Sequence, residues 1–134
     1  MTKKLRKSVR SPATILVVDP DDSRRKAARG LLEALGYRVL DASYAGGAEQ
    51  IARVYVGPIH VLLVETEASD LNGQALTDRL RAIHPELRVL FSSVQPQEEL
   101  IEQGQLGSNQ PFLQKPFEKD ELAQKVRRVL SASG

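Results

Sequence analysis

The 134-residue sequence has no cysteine and no tryptophan. Without cysteine there is no disulfide frame, no thiolate zinc site and no cysteine nucleophile. Aromatic residues make up 4% of the chain, too few for a surface that stacks the bases of single-stranded nucleic acid. No apolar run approaches the roughly 18 residues that a membrane-spanning helix needs. The first ten residues lack the apolar stretch of a secretory signal. The expected setting is a reducing cytoplasm. What is present is ordinary for a soluble globular chain: 41% apolar and 27% charged residues. The length fits one domain with a core of its own.

Charge is unevenly placed. Residues 1–10 hold Lys3, Lys4, Arg6, Lys7 and Arg10 and no acid. Setting those cations aside leaves 14 basic against 17 acidic side chains, a body of net charge −3. The overall +2 therefore belongs to the terminus. The expected organisation is a flexible basic tail over residues 1–12 and one folded domain over 13–132. A solvated terminus is the plain reading; an arm for nucleic acid or a partner is the alternative.

Strand and helix signals alternate along the body. Thr14 to Val18 is an apolar, β-branched run ended by the turn signal Asp19-Pro20-Asp21-Asp22. Ser23 to Leu35 places Ala27, Ala28, Leu31, Leu32 and Leu35 on one helical stripe, with Gly36 as its stop. Tyr37 to Ala42 is a mixed strand suited to a sheet edge. Ser43 is expected to cap a second helix with Ala48, Ile51, Ala52 and Tyr55 inward, broken by Gly57-Pro58. Ile59 to Val64 reads as a buried strand, followed by a polar loop to Gly73. A third helix turns Leu76, Leu80 and Ile83 inward and stops at Pro85. Val89 to Phe91 and Phe112-Leu113 are the fourth and fifth strands, separated by a polar stretch with room for a short or mobile helix. The last helix starts near Glu118, with Leu122, Ala123, Val126, Val129 and Leu130 inward. Acids in its first turn and Arg127-Arg128 in its last suit the helix dipole.

Five strands alternating with five helices predict a parallel sheet covered on both faces. Ligands of such sheets sit beyond the carboxyl ends of the strands. The polar residues there are Asp19, Glu65, Ser93 and Lys115. Each alone has a plain explanation: a turn cap, a loop acid, a loop hydroxyl, a solvated charge. Four at consecutive strand ends are more specific and predict one polar pocket.

The stretches Ile15-Leu-Val-Val-Asp19, Leu35-Gly-Tyr-Arg-Val39, Val89-Leu-Phe-Ser-Ser93 and Phe112-Leu-Gln-Lys-Pro-Phe117, and the loop ending in Gly73, carry a resemblance. From Ile15 to Leu130 the chain resembles the receiver domain of bacterial response regulators, the CheY-like family. The 22-residue step from Ser93 to Lys115 fits as well. The resemblance implies a doubly wound, flavodoxin-like α/β/α fold with strand order 2-1-3-4-5. It also implies an aspartate that accepts a phosphoryl group from a histidine kinase, with Mg²⁺. Metal and lysine neutralise the phosphoryl oxygens, and two acids after the first strand hold the cation through oxygen. A strand-four hydroxyl binds the phosphoryl group, and a strand-five aromatic, here Phe112, reports it to the outer face; core filling is the other reading of Phe112.

Three departures stand out. The family's acceptor lies eight residues before the loop glycine, and counting back from Gly73 gives Glu65. Its extra methylene displaces the carboxylate, and a shift near 1 Å in a preorganised site costs about 100-fold in rate. The second acid of the family's adjacent pair is here Pro20, which has no side-chain oxygen. The family's Met-Pro after the acceptor is Ala68-Ser69. Asp19, Ser93 and Lys115 are retained. The expectation is an atypical receiver, not phosphorylated in the usual way, that acts through protein contacts and needs no cofactor. Asp19, Glu65 and Glu67 are weak metal candidates. The alternative is a conventional Mg²⁺-dependent acceptor with a rearranged site.

Asp19-Pro20-Asp21 also resembles the first motif of haloacid-dehalogenase-type phosphohydrolases, with Asp19 as nucleophile, Asp21 as acid, and Ser92 or Ser93 with Lys115 on phosphate. That chemistry needs a later acidic pair for Mg²⁺, and Pro116-Phe117 follows Lys115 instead. A flavin carrier would need a phosphate loop without the repelling Asp19, Asp21 and Asp22. No enzymatic activity is expected. Expected partners are a histidine kinase or other signalling protein and a second copy through the helix 4–strand 5–helix 5 face, with no membrane and no nucleic-acid partner. Only Ser-Ala-Ser-Gly follows Leu130, which fits a receiver standing alone or cut from a longer chain. His60 reads as a buried structural residue and His84 as solvated; neither has a second ligand at metal spacing.

Overall fold

The computed structural model describes residues 12–66 and 72–132. The basic tail, Glu67 and Ala68-Ser69 lie outside them. Elements alternate as β1 (Thr14–Val18), α1 (Asp22–Ala34), β2 (Arg38–Ala42), α2 (Ala45–Val54), β3 (Val61–Glu65), α3 (Gly73–Arg81), β4 (Arg88–Ser93), α4 (Gln97–Glu102), β5 (Phe112–Gln114) and α5 (Lys119–Ser131). The five strands pair in parallel in the order β2-β1-β3-β4-β5. This is the doubly wound arrangement expected from the sequence. The mixed strand β2 lies at an edge.

Side chains alternate across a strand, so each continuous apolar run feeds two cores. Leu16, Val18, Leu62, Val64, Phe91 and Phe112 pack with residues of α2, α3 and α4 on one face. Ile15, Val17, Leu63, Leu90 and Leu113 pack with residues of α1 and α5 on the other. That alternation places Ser92 and Ser93 on opposite faces of β4.

Local signals explain most boundaries. Asp21 caps α1 by accepting from Arg24 N at 2.8 Å. Gly36 follows the end of α1 at φ +98°, where a side chain would be strained, and Tyr37 N closes back on Leu32 O at 3.1 Å. Asn72 caps α3 through Ala75 N at 2.8 Å. Gly73 has a packing reason: a Cβ there would lie 2.9 Å from Phe91 Cε1. Arg88 donates to the carbonyls of Val129 and Leu130 at 2.9 and 3.0 Å, and to that of Ala132, closing the end of α5.

Several expectations are corrected. Tyr44, not Ser43, stands at the start of α2, and its side chain makes no cap bond. The third strand begins at Val61 rather than Ile59, and the fourth runs to Ser93. Ala27 is exposed although it shares a stripe with buried Ala28. Ile83 lies beyond the end of α3 and is exposed. His84 is half-buried, with Nε2 3.0 Å from Ala52 O, tying the end of α3 to α2. His60 is also half-buried, and its Nδ1 accepts from Thr14 N at 2.9 Å.

Candidate functional site

Asp19, Glu65 and Lys115 meet at the carboxyl end of the sheet. Asp19 follows β1, and its backbone N–H is fixed to Ala42 O at 3.2 Å. Glu65 ends β3 opposite Ser92. Lys115 follows β5, held by its own N–H to Ser93 O at 2.8 Å. All three are buried, Lys115 with 7% of its surface exposed. The Lys115 ammonium donates to Asp19 Oδ2 at 2.8 Å and to Glu65 Oε1. Asp19 Oδ1 accepts from Asp21 N at 2.9 Å. Arg24 Nε stands 3.6 Å from Asp19 Oδ2.

Electrostatics follow from this placement. Two carboxylates and one ammonium leave a buried excess of one negative charge, partly offset by the half-exposed Arg24 guanidinium. Burial pushes the Glu65 carboxyl above its usual range, and the Lys115 hydrogen bond opposes that shift. Removing charges from water is costly unless they are bonded; here one ammonium has two carboxylate acceptors.

The remaining acids of the β1–α1 turn are committed elsewhere. Asp21 is the α1 cap, and its bond from Arg24 N holds its carboxyl below the usual range. Asp22 pairs with Arg25 at 2.7 Å. Arg25 also donates to Asp19 O at 2.9 Å and faces Asp41 at 3.5 Å. Ser93 is fully buried, and its Oγ accepts from Gln95 N at 3.0 Å. Ser92 is buried too, on the opposite face of the strand. Phe112 is buried beside β4, paired with Phe91. Glu67, the third metal candidate, lies outside the described residues. Among those residues no group of three or more His, Cys, Asp or Glu gathers as a metal cluster.

Three contributors escaped the sequence reading. Arg24 and Arg25, one turn into α1, fix Asp19 from its side chain and its carbonyl; their spacing of five and six residues from Asp19 was the available signal. Thr66 is buried, with an Oγ1 that has no hydrogen-bond partner among the described residues. It follows Glu65 directly, which puts it at the same strand end. Asp19 and Lys115 line a cavity of about 260 Å³ together with the apolar Val17, Ala28, Leu63 and Phe117.

The profile of the response regulator receiver domain matches residues 15–127. The chain belongs to this family. It is 26% identical over 118 residues to the sensor kinase CckA of Brucella abortus, covering 88% of this chain and 12% of that protein. It is 32% identical over 126 residues to the DNA-binding transcriptional regulator NtrC of Azospirillum brasilense, covering 92% of this chain and 25% of that one. It thus spans a quarter or less of these two relatives. The receiver protein CpdR of Brucella abortus is 25% identical over 89% of this chain and 98% of its own length. Among solved structures, Vibrio cholerae chemotaxis protein CheY4 superposes with a TM-score of 0.77 at 22% identity, covering 89% of this chain and 99% of that one. The chain is a receiver domain of two-component signalling. Among the described residues no helix is long and apolar enough to cross a membrane.

Proposed function

We propose that this receiver is an atypical one, a single module over residues 13–132 that works in the cytoplasm through protein contacts rather than through the usual aspartyl phosphorylation. The observation that carries the reading is the Lys115 ammonium bonded to Asp19 and Glu65 together. In the family the lysine and a magnesium ion neutralise an incoming phosphoryl group; here the lysine is committed to the chain's own carboxylates. Glu65 stands at the acceptor position and carries one methylene more than aspartate.

The donor set does not fit magnesium. The ion requires near-octahedral oxygen at about 2.1 Å. Pro20 offers no side-chain oxygen, Asp21 caps α1, Asp22 holds Arg25, and an ammonium lies between the carboxylates that remain. The module's output face is α4–β5–α5, where Phe112 and Leu113 line a groove with Gln97, Glu98, Glu121 and Lys125. A signalling protein or a second copy of the chain is the proposed occupant.

Incubation with acetyl phosphate and Mg²⁺, followed by intact-mass measurement, tests the reading. No phosphoryl adduct is expected, in the native chain or in Glu65→Asp, because Pro20 still denies the metal its ligand. A stable adduct on Glu65 would overturn the reading; efficient labelling of Glu65→Asp alone would overturn the metal argument.

A further inference from the structure

Protein interiors pack like organic crystals, with few voids larger than a water molecule. The face of the sheet under α1 and α5 departs from that rule. Between α1 and the segment after β5 lies the cavity of about 260 Å³. Its origin is in the sequence of α1. Ala27 and Ala28 present only a methyl group each, and one turn later Leu31 lines the same space. Arg24, Ala27 and Val94, which also line it, are exposed, so the cavity is reached from solvent.

Its polar lining has donors to spare. Ser92 is 4% exposed, on the same face of β4 as Leu90, and its hydroxyl bonds to no other described residue. Arg24 Nε stands 3.6 Å from Asp19 Oδ2, a charge contact beyond hydrogen-bond range, and no described residue accepts from the guanidinium's terminal nitrogens. The acceptors are spent. Asp19 Oδ1 accepts from Asp21 N and Oδ2 from Lys115. A buried hydroxyl without a partner and an unspent guanidinium fork, set beside apolar walls, call for a ligand that brings its own acceptors.

We propose that this cavity binds a small carboxylic acid with an apolar body, its carboxylate held by the Arg24 guanidinium and the Ser92 hydroxyl. The guanidinium fork matches a carboxylate with two parallel bonds. Leu31, Leu63 and Phe117 cover the body. An apolar cavity of about 150 Å³ takes benzene, so this one has room for a single ring or a short branched chain with its acid group. An amine head would meet the Arg24 and Lys115 cations and an Asp19 whose oxygens are already bonded. The site uses Arg24 and Ser92, not the acceptor-position carboxylate, so it is independent of whether Glu65 takes a phosphoryl group.

Titration of the ¹⁵N-labelled full chain with phenylacetate, benzoate and isovalerate, followed by amide NMR, tests the proposal. At least one acid should bind saturably with a Kd on the order of 0.1–1 mM, shifting the amides of Ala28, Ser92 and Phe117. Phenethylamine, a ring with the opposite charge, should bind about tenfold more weakly or not at all. Arg24→Gln should weaken acid binding about tenfold, and Ala27→Leu should weaken it at least as much by placing its side chain in the cavity. Both positions are exposed, and circular dichroism should stay native. Absence of saturable binding by all three acids, phenethylamine binding as tightly as the acids, or acid binding indifferent to either substitution would overturn the proposal.

Discussion

The two ends of the sheet solve the problem of charge in opposite ways. At the carboxyl end Asp19, Glu65 and Lys115 are buried and bonded to one another. At the amino end the exposed Arg53 and Arg79 share Glu49, at 3.5 and 2.8 Å, while the half-buried Arg88 is bonded to backbone carbonyls at the end of α5. A buried group that loses its partner is stranded, whereas an exposed one is rescued by solvent. The buried cluster is therefore where single substitutions are costly, and exposed positions such as Arg53 are where they are nearly free.

Breaking the buried end should have the largest effect. Lys115→Met leaves two carboxylates facing each other away from water and should cost about 3–5 kcal/mol in urea denaturation. A loss below about 1 kcal/mol would mean that water already reaches the cluster. Next comes Gly73→Ala. Its methyl group would press on Phe91, and overpacking of this kind costs about 1–3 kcal/mol.

Glu65→Gln sharpens the comparison through pH. Burial raises the Glu65 carboxyl above its ordinary 4.5, so the folded chain holds the proton more readily than the unfolded chain. From about that value up to the folded one, stability falls as pH rises, by at most about 1.4 kcal/mol per pH unit. Below the window both states are protonated and the contribution is constant. Denaturation across this range should show Glu65→Gln lacking that slope; an unchanged slope would place its origin in other groups. The smallest effect belongs to the amino end, where Arg53→Gln should stay within about 0.5 kcal/mol of the native chain.

Much of this was legible in the sequence. Unbroken β-branched runs such as Thr14–Val18 can only be buried on both faces, which selects a parallel sheet, and a parallel sheet brings Asp19, Glu65, Ser93 and Lys115 to one end. Period and composition say less about where a helix begins or how its flank is covered. Ser43 had the right chemistry for a cap, yet the chain stays extended through Tyr44. Ile83 kept the helical spacing, but α3 ends at Arg81 and the side chain falls outside. His84 looked like a helix-end residue in water until tertiary packing brought Ala52 O against it. In the site, the strand ends were readable but the helix side was not. Arg24 and Arg25 reach Asp19 from the first turns of α1, which Asp21 caps, and Thr66 is buried directly after Glu65.

We propose that the Lys115 ammonium stands between Asp19 and Glu65 in place of a metal and a phosphoryl group. A crystal structure grown with Mg²⁺ and beryllofluoride reads it directly. The expected result is Lys115 still bonded to both carboxylates, with no fluoride species on Glu65. Beryllofluoride attached to Glu65, with an octahedral Mg²⁺ on Asp19 and the lysine swung onto fluoride, would contradict it.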